Sequence, residues 1–473
     1  ISCWNTAGIT DMEYAFSNSY NFYKSFNAPL ECWNVGQVTT MRSMFDNATS
    51  FNQPIDSWDV SQVEDMGDMF SGNFYFGPTN FNQPIGSWDV SQVKDMAKMF
   101  AGTTFNQPID SWDVSQVEDM GDMFSGNSIS RATYFNQPIG SWNVSQVKDM
   151  SEMFAGATFD QPIGSWNVSQ VKDMSEMFRS ATFNHSIDIW NVSQVNNMGK
   201  MFADASYFNQ PIDSWDVSQV KNMARIYYSL AIFNQPLDSW DVSQVKNMAR
   251  MFDDAYYFNQ PIDSWDVSQV KNMFGMFLGA KSFNQPIDSW DVSQVKDMGD
   301  MFRMFGNSMF DSATYFNQPI GSWDVSQVKF MRNMFAGATF NQPIDSWDVS
   351  QVKDMAKMFA GATFNQPIDS WDVSQVKFMD YMFSGAIFNQ PIDSWDVSQV
   401  EFMTGMFANV FGATTFNRPI DTWDVSQVQD MSRMFYRAGF FNQPIDTWDV
   451  SQVKYMDDMF NSAFSFNQCL STW

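Results

Sequence analysis

The feature that most constrains this chain is that it repeats itself. The stretch from Phe340 reads FNQPIDSWDVSQVKDMAKMFAGAT, and the next, from Phe364, reads FNQPIDSWDVSQVKFMDYMFSGAI. Nineteen Trp residues mark the phase from Trp4 to Trp473, mostly 24 or 25 residues apart, with exceptions of 29, 30, 30, 33 and 28. A unit of this length cannot bury its own apolar side, whereas stacked units can, so 473 residues need not mean several globular domains. The expectation is one continuous repeat solenoid over 1–473.

With Phe at position 1 of a unit, apolar residues fall at 1, 5, 8, 10, 13, 16, 19, 20 and often 23. Trp347 and Val349 bracket Asp348, which is the in–out–in pattern of a strand. Val352, Met355, Met358 and Phe359 follow at three- and four-residue steps, which is the pattern of a helix face. Ser350 suits that helix as N-cap, Gly361 suits its C-terminal end, and Pro343 suits the turn before the strand. The fold class expected is therefore an α/β repeat solenoid, leucine-rich-repeat-like and right-handed, with one short parallel strand and one short helix per 24–25-residue coil and about 18 coils.

Units of the form FNQPIDSWDVSQVKDMAKMF, with FNQ, W-D-V-S-x-V and M-x-x-M-F in fixed order, resemble the BspA-type leucine-rich-repeat surface proteins. The resemblance covers nearly the whole chain and implies a cell-surface or secreted solenoid, sometimes adhesive, without catalytic residues. It implies an extracellular or cell-surface location.

Polar positions repeat almost as strictly as the core. Position 2 is Asn in 17 units, from Asn27 to Asn467, with Asp160 as the exception. Stacking puts such residues roughly 4.8 Å apart, and an Asn ladder can satisfy turn backbone in its own and adjacent coils. Position 9 is Asp in 13 units and Asn in five, and position 6 adds Asp in 12. These rows read as a solvated acidic face, with calcium as the alternative on Asp345, Asp348, Asp369, Asp372, Asp393 and Asp396. Position 14 is Lys in 11 units, where it would open the helix, too far away to relieve the Asp rows.

A net charge of −27 disfavours nucleic acid, and no apolar run approaches the ~20 residues of a membrane span. The Met-Phe pairs and the Trp row read as core rather than as haem ligands or a sugar platform. The one histidine, His185, stands where Gln normally does, and the same groups recur in every unit, so an asymmetric catalytic site is not expected. No cofactor other than calcium is expected, and no enzyme activity. The function expected is an extracellular structural surface protein or filament subunit. An adhesin is the alternative, binding a host, cell-wall or glycan partner through its sheet face and edge loops. Asn-x-Ser/Thr at Asn47, Asn143, Asn167, Asn184 and Asn191 offers glycosylation sites. Segments 71–80, 125–134, 303–315 and 408–415 lengthen coils at one phase and so emerge on one edge. The array starts at position 5 of a unit (Ile1) and stops at position 8 (Trp473), so its ends are expected to be covered by further copies or flanking repeats.

Cys3 and Cys32 both precede a core Trp in consecutive coils, and stacked strands would bring them within disulfide range. Non-reducing peptide mapping should find the Cys3–Cys32 bond, with Cys469 outside it; both thiols free would remove the pairing and its argument for an oxidising compartment.

Overall fold

The protein is described here from a computed structural model covering residues 4–18, 26–72, 77–126, 133–304, 314–410, 414–471 and 473. The chain forms two compact units, Ile1–Gln235 and Pro236–Trp473. Each is a stack of coils.

The core positions are those read from the sequence. In the coil from Phe340, Phe340, Ile344, Trp347, Val349, Val352, Met355, Met358, Phe359 and Ala362 are all buried. Two Phe columns run side by side. Phe359 stacks on Phe383 of the next coil at 5.8 Å and on Phe364 at 4.2 Å, and Phe364 stacks on Phe388 at 6.2 Å. Burying one such ring stabilises by about 1.5–3 kcal/mol, and Trp rings stack 6.4 Å apart beside them.

The backbone is not the expected one. Among the described residues there is no helix and no extended strand; the coils are joined by isolated parallel bridges such as Phe330↔Asp354 and Asp354↔Phe378. The α/β assignment of one strand and one helix per coil is therefore wrong, and the reason lies in the turns. Trp347 N–H donates to Ile344 O (3.2 Å) and Val352 N–H to Val349 O (2.9 Å), so the Trp-x-Val segment lies between two turns and pairs with no neighbour as a strand. Ser350 caps no helix, since its N–H is held by Asp348 Oδ1 at 3.0 Å. In the Met-Phe segment Lys357 has φ +59° and Gly361 φ +67°. A left-handed residue at the centre of M-x-x-M-F ends any right-handed helix.

What replaces the helix is a chain of turns. Met358, Ala360 and Ala362 N–H donate to Met355, Lys357 and Phe359 O, each three residues back. With Lys357 and Gly361 left-handed at third place, the first and last of these are type II turns. The alternate N–H groups, those of Met355, Lys357, Phe359 and Gly361, donate to Phe378, Asp380, Met382 and Ser384 O of the following coil at 2.7–3.0 Å. Ala356 N–H goes to Asp354 Oδ1 (2.9 Å), and Thr363 N–H to Ala338 O of the preceding coil (3.2 Å). Every backbone donor from Met355 to Thr363 is thus satisfied without helix or strand.

The apolar spacing of three and four comes from consecutive three-residue closures, which imitate a helical period. The same left-handed position recurs from Tyr14 to Asp458, and Gly fills it at Gly275 and Gly405. Turn and helix predict opposite rankings there. Lys357→Gly should exceed Lys357→Val in stability by about 1–2 kcal/mol in denaturant titration, because a β-branched side chain resists φ > 0; a helical segment would favour Val.

Candidate functional site

What the fold presents is a set of columns, each built from one position of successive coils.

The Asn column is a backbone device. Asn341 Oδ1 accepts the Asn365 N–H at 2.8 Å and Gln366 Nε2 at 3.3 Å, and Gln366 Nε2 also reaches Asn341 O at 3.1 Å. Ser and Trp act likewise between coils, with Ser346 Oγ donating to Gly321 O (2.6 Å) and Trp347 Nε1 to Ile320 O (3.0 Å). Two of the exceptions to the Asn–Gln pattern meet each other. His185 Nε2 lies 3.1 Å from Asp160 O and 3.3 Å from its Oδ1.

Asp345, Asp348, Asp369, Asp372, Asp393 and Asp396 are all exposed. Asp348, Asp372 and Asp396 each use Oδ1 to hold the N–H two residues on, at 3.0 Å. Hydrogen bonds from Ser374 hold the Asp372 carboxyl below the usual carboxylate range. These rows run in file, and among the described residues no three His, Cys, Asp or Glu side chains are grouped to hold a metal ion. The role needs an oxygen, not a charge. Asn143 and Asn167 fill it at 3.2 Å and Asn191 at 3.1 Å, which is why Asn replaces Asp there.

Asn143, Asn167, Asn184 and Asn191 are exposed, but Asn47 is 4% exposed with φ +57°, a poor acceptor for a sugar. Cys3 lies outside the described residues, so its pairing does too; Cys32 and Cys469 are exposed. Of the lengthened segments, residues 73–76, 127–132, 305–313 and 411–413 also lie outside. Their re-entry points are described. In an ordinary coil Ala362 N–H caps Phe359 O (3.0 Å); in lengthened coils a buried Thr hydroxyl does so, Thr79 to Phe70 O and Thr133 to Phe124 O, both at 2.6 Å.

Position 15 forms a second, half-buried column missed in the sequence. Asp119, Asp297 and Asp354 each hold the N–H two residues on at 2.9 Å, and burial pushes all three carboxyls up. Phe330 and Phe378 interrupt it, 45% and 37% exposed. Lys353, expected to open a helix, instead donates its N–H to Lys329 O (2.9 Å) and exposes its ammonium.

Six overlapping matches spanning 1–77, 72–158, 126–237, 206–307, 304–411 and 388–473 assign the whole length to one repeat family, described as "Mycoplasma protein of unknown function, DUF285". No curated protein matches the chain. Among solved structures it is similar to a Leptospira interrogans LRR protein, at 8% identity and a TM-score of 0.29 over 95% of this chain and 96% of that one. It is also similar to the plant peptide hormone receptor RGFR1 in complex with RGF2, at 9% identity and a TM-score of 0.19 over 90% and 82%.

A carboxyl raised by burial holds more proton in the folded chain than in the unfolded one just above the ordinary carboxylate range. Stability is then lost as pH rises through the folded value and regained as pH falls back towards it. Asp119→Asn and Asp297→Asn keep the oxygen, as Asn197 and Asn272 do in the same column. Both variants should flatten the pH dependence of the denaturation midpoint between neutral and mildly acidic pH, and neither should lower stability at neutral pH. By its six matches along the whole length, the chain belongs to the family described as "Mycoplasma protein of unknown function, DUF285".

Proposed function

We propose that this protein is a non-catalytic structural repeat protein of the cell surface or extracellular space, whose stacked coils serve as a scaffold. The observation that carries the reading is how the surface polar residues are used. Asn, Gln, Ser and the Asx-type Asp are committed to bonds between or within coils, so the repeated face is a consequence of stacking, and every coil offers nearly the same groups. Such a surface suits mechanical roles, assembly or an extended ligand better than one small substrate, which needs different groups converging in one place. The resemblance of the units to BspA-type surface proteins supports the location, and the acidic balance suits a solvated exterior.

An adhesin is the second reading. Tyr134 and Tyr315 stand exposed at 62% and 55% where lengthened coils rejoin the stack, and Tyr is a residue type that interfaces favour.

Impermeant biotin applied to intact cells should label the lysine residues, and imaging of native material should show continuous arrays. Labelling only after lysis would overturn the location. Isolated molecules with a saturable ligand would replace the structural reading with the adhesive one.

A further inference from the structure

The lysine column of the second unit holds one sign over a longer run than the same column does in the first. In the first unit Glu64, Lys94, Glu118 and Lys148 alternate in successive coils, each backbone N–H donating to the preceding residue's carbonyl at 2.8 Å. Lys94 pairs with Glu64 at 2.7 Å, and Lys148 pairs with Glu118. These four coils neutralise one another, and Lys172, Asn196 and Lys221 follow them in the column. In the second unit the same position reads Lys246, Lys271, Lys296, Lys329, Lys353 and Lys377, joined in file by N–H···O bonds of 2.9–3.0 Å. All six are exposed. The run ends where Lys377 meets Glu401 at 2.8 Å. Among the described residues no carboxylate pairs with the other five.

Five residues earlier in each coil stands an exposed Asp, from Asp241 to Asp372. The chain turns between the two positions. Val352 N–H closes on Val349 O, with Ser350 and Gln351 at the corner. A file of carboxylates and a file of ammonium groups therefore flank one edge with the same repeat, one of each per coil.

We propose that two copies of this chain pair side by side and parallel through this edge of the second unit. A twofold axis parallel to the stack sets each copy's Asp column against the other's Lys column, coil for coil, and makes both contacts at once. A twofold across the stack would instead set Asp against Asp and Lys against Lys. The charge pattern thus selects the parallel arrangement. It also disfavours a uniform polyanion, because any anionic polymer laid along the lysines would run beside the Asp column. Exposed ion pairs are individually weak. Many pairs on a common repeat, held by a rigid stack, act together.

The proposal deepens the structural reading but is tested apart from it, in purified full-length chain. Sedimentation equilibrium should show a dimer at low salt that weakens by about tenfold or more at high salt, because exposed pairs are screened. Replacing Lys271, Lys296, Lys329 and Lys353 by Gln should give a monomer at low salt with unchanged Trp fluorescence. Asp266→Asn, Asp291→Asn and Asp324→Asn together should do the same, since Asn holds that turn in the first unit. Oxidation of Gln351→Cys should join the two substituted positions to each other, located by peptide mapping, because a parallel twofold puts them at one level. A monomer at both salts would overturn the pairing, as would a salt-indifferent dimer, retention of the dimer in either set, or crosslinks at unequal levels. Each of these would leave the surface location standing, whereas labelling only after lysis would remove the location and leave the pairing intact.

Discussion

Everything in this protein depends on one arrangement of peptide groups. From Met355 to Gly361 alternate N–H groups point to the following coil, while the carbonyls of Asp354, Ala356, Met358 and Ala360 accept from the preceding one. The peptides between are closed within the coil by turns. A β-strand would alternate its bonds between two neighbours, and a helix would spend them all on itself. Here each coil has half of its bonds to hold its own bend and half to hold the next coil. The left-handed residue at Lys357 makes that division possible, because it closes the turn after which alternate peptides again aim to the same side. The cost of that conformation, about 1–2 kcal/mol for a non-Gly residue, is borne in nearly every coil and offset by the apolar column it brings into register.

The same constraint explains why the polar surface is conserved from unit to unit within this chain. A turn-built backbone leaves donors that no regular ladder collects, and side chains must take them. Asn341 holds the next coil's backbone, Trp347 and Ser346 donate to the coil before, and Asp348 and Asp354 each hold an N–H of their own coil. Replacing Asn341, Trp347 or Asp354 strands a partly or fully buried backbone group, at about 1–3 kcal/mol for a fully buried one, whereas the groups held by Ser346 and Asp348 are exposed. The exchanges that do occur follow the bonding. Asp gives way to Asn where only an oxygen is needed, and Ala to Thr where a hydroxyl must stand in for a displaced N–H.

The core was legible because burial follows spacing whatever the backbone does; Trp347, Val349, Met355 and Phe359 lie inside as their periodicity required. The backbone was not legible, because three-residue turn closures and a helix place apolar residues alike. One signal does distinguish them. The position of Lys357 holds Tyr, Ser, Asp, Lys, Glu, Arg, Asn or Gly in its coils, and never Val, Ile or Thr. A helix surface tolerates β-branched residues, whereas φ > 0 does not. Gly361 was noticed for its place at a terminus, but its φ of +67° serves a turn. Of the surface, the Asn column and the Asp files were readable as repeats, whereas the half-buried column at Asp297 and Asp354 needed the fold to show that it faces partly inward.

Because bonding and charge are carried by different atoms, the charge of the surface is free to vary while the stack stays the same. Lys353 contributes its backbone N–H to Lys329 and leaves its ammonium in solvent; Glu118 makes the same backbone bond to Lys94 and presents a carboxylate. One position can therefore alternate in sign from Glu64 to Lys148 and hold one sign from Lys246 to Lys377, with no change in the coil. Repetition fixes where each side chain stands and at what interval. Sequence drift at such positions then writes a pattern onto a ruled surface, and that pattern is where otherwise similar coils acquire separate uses.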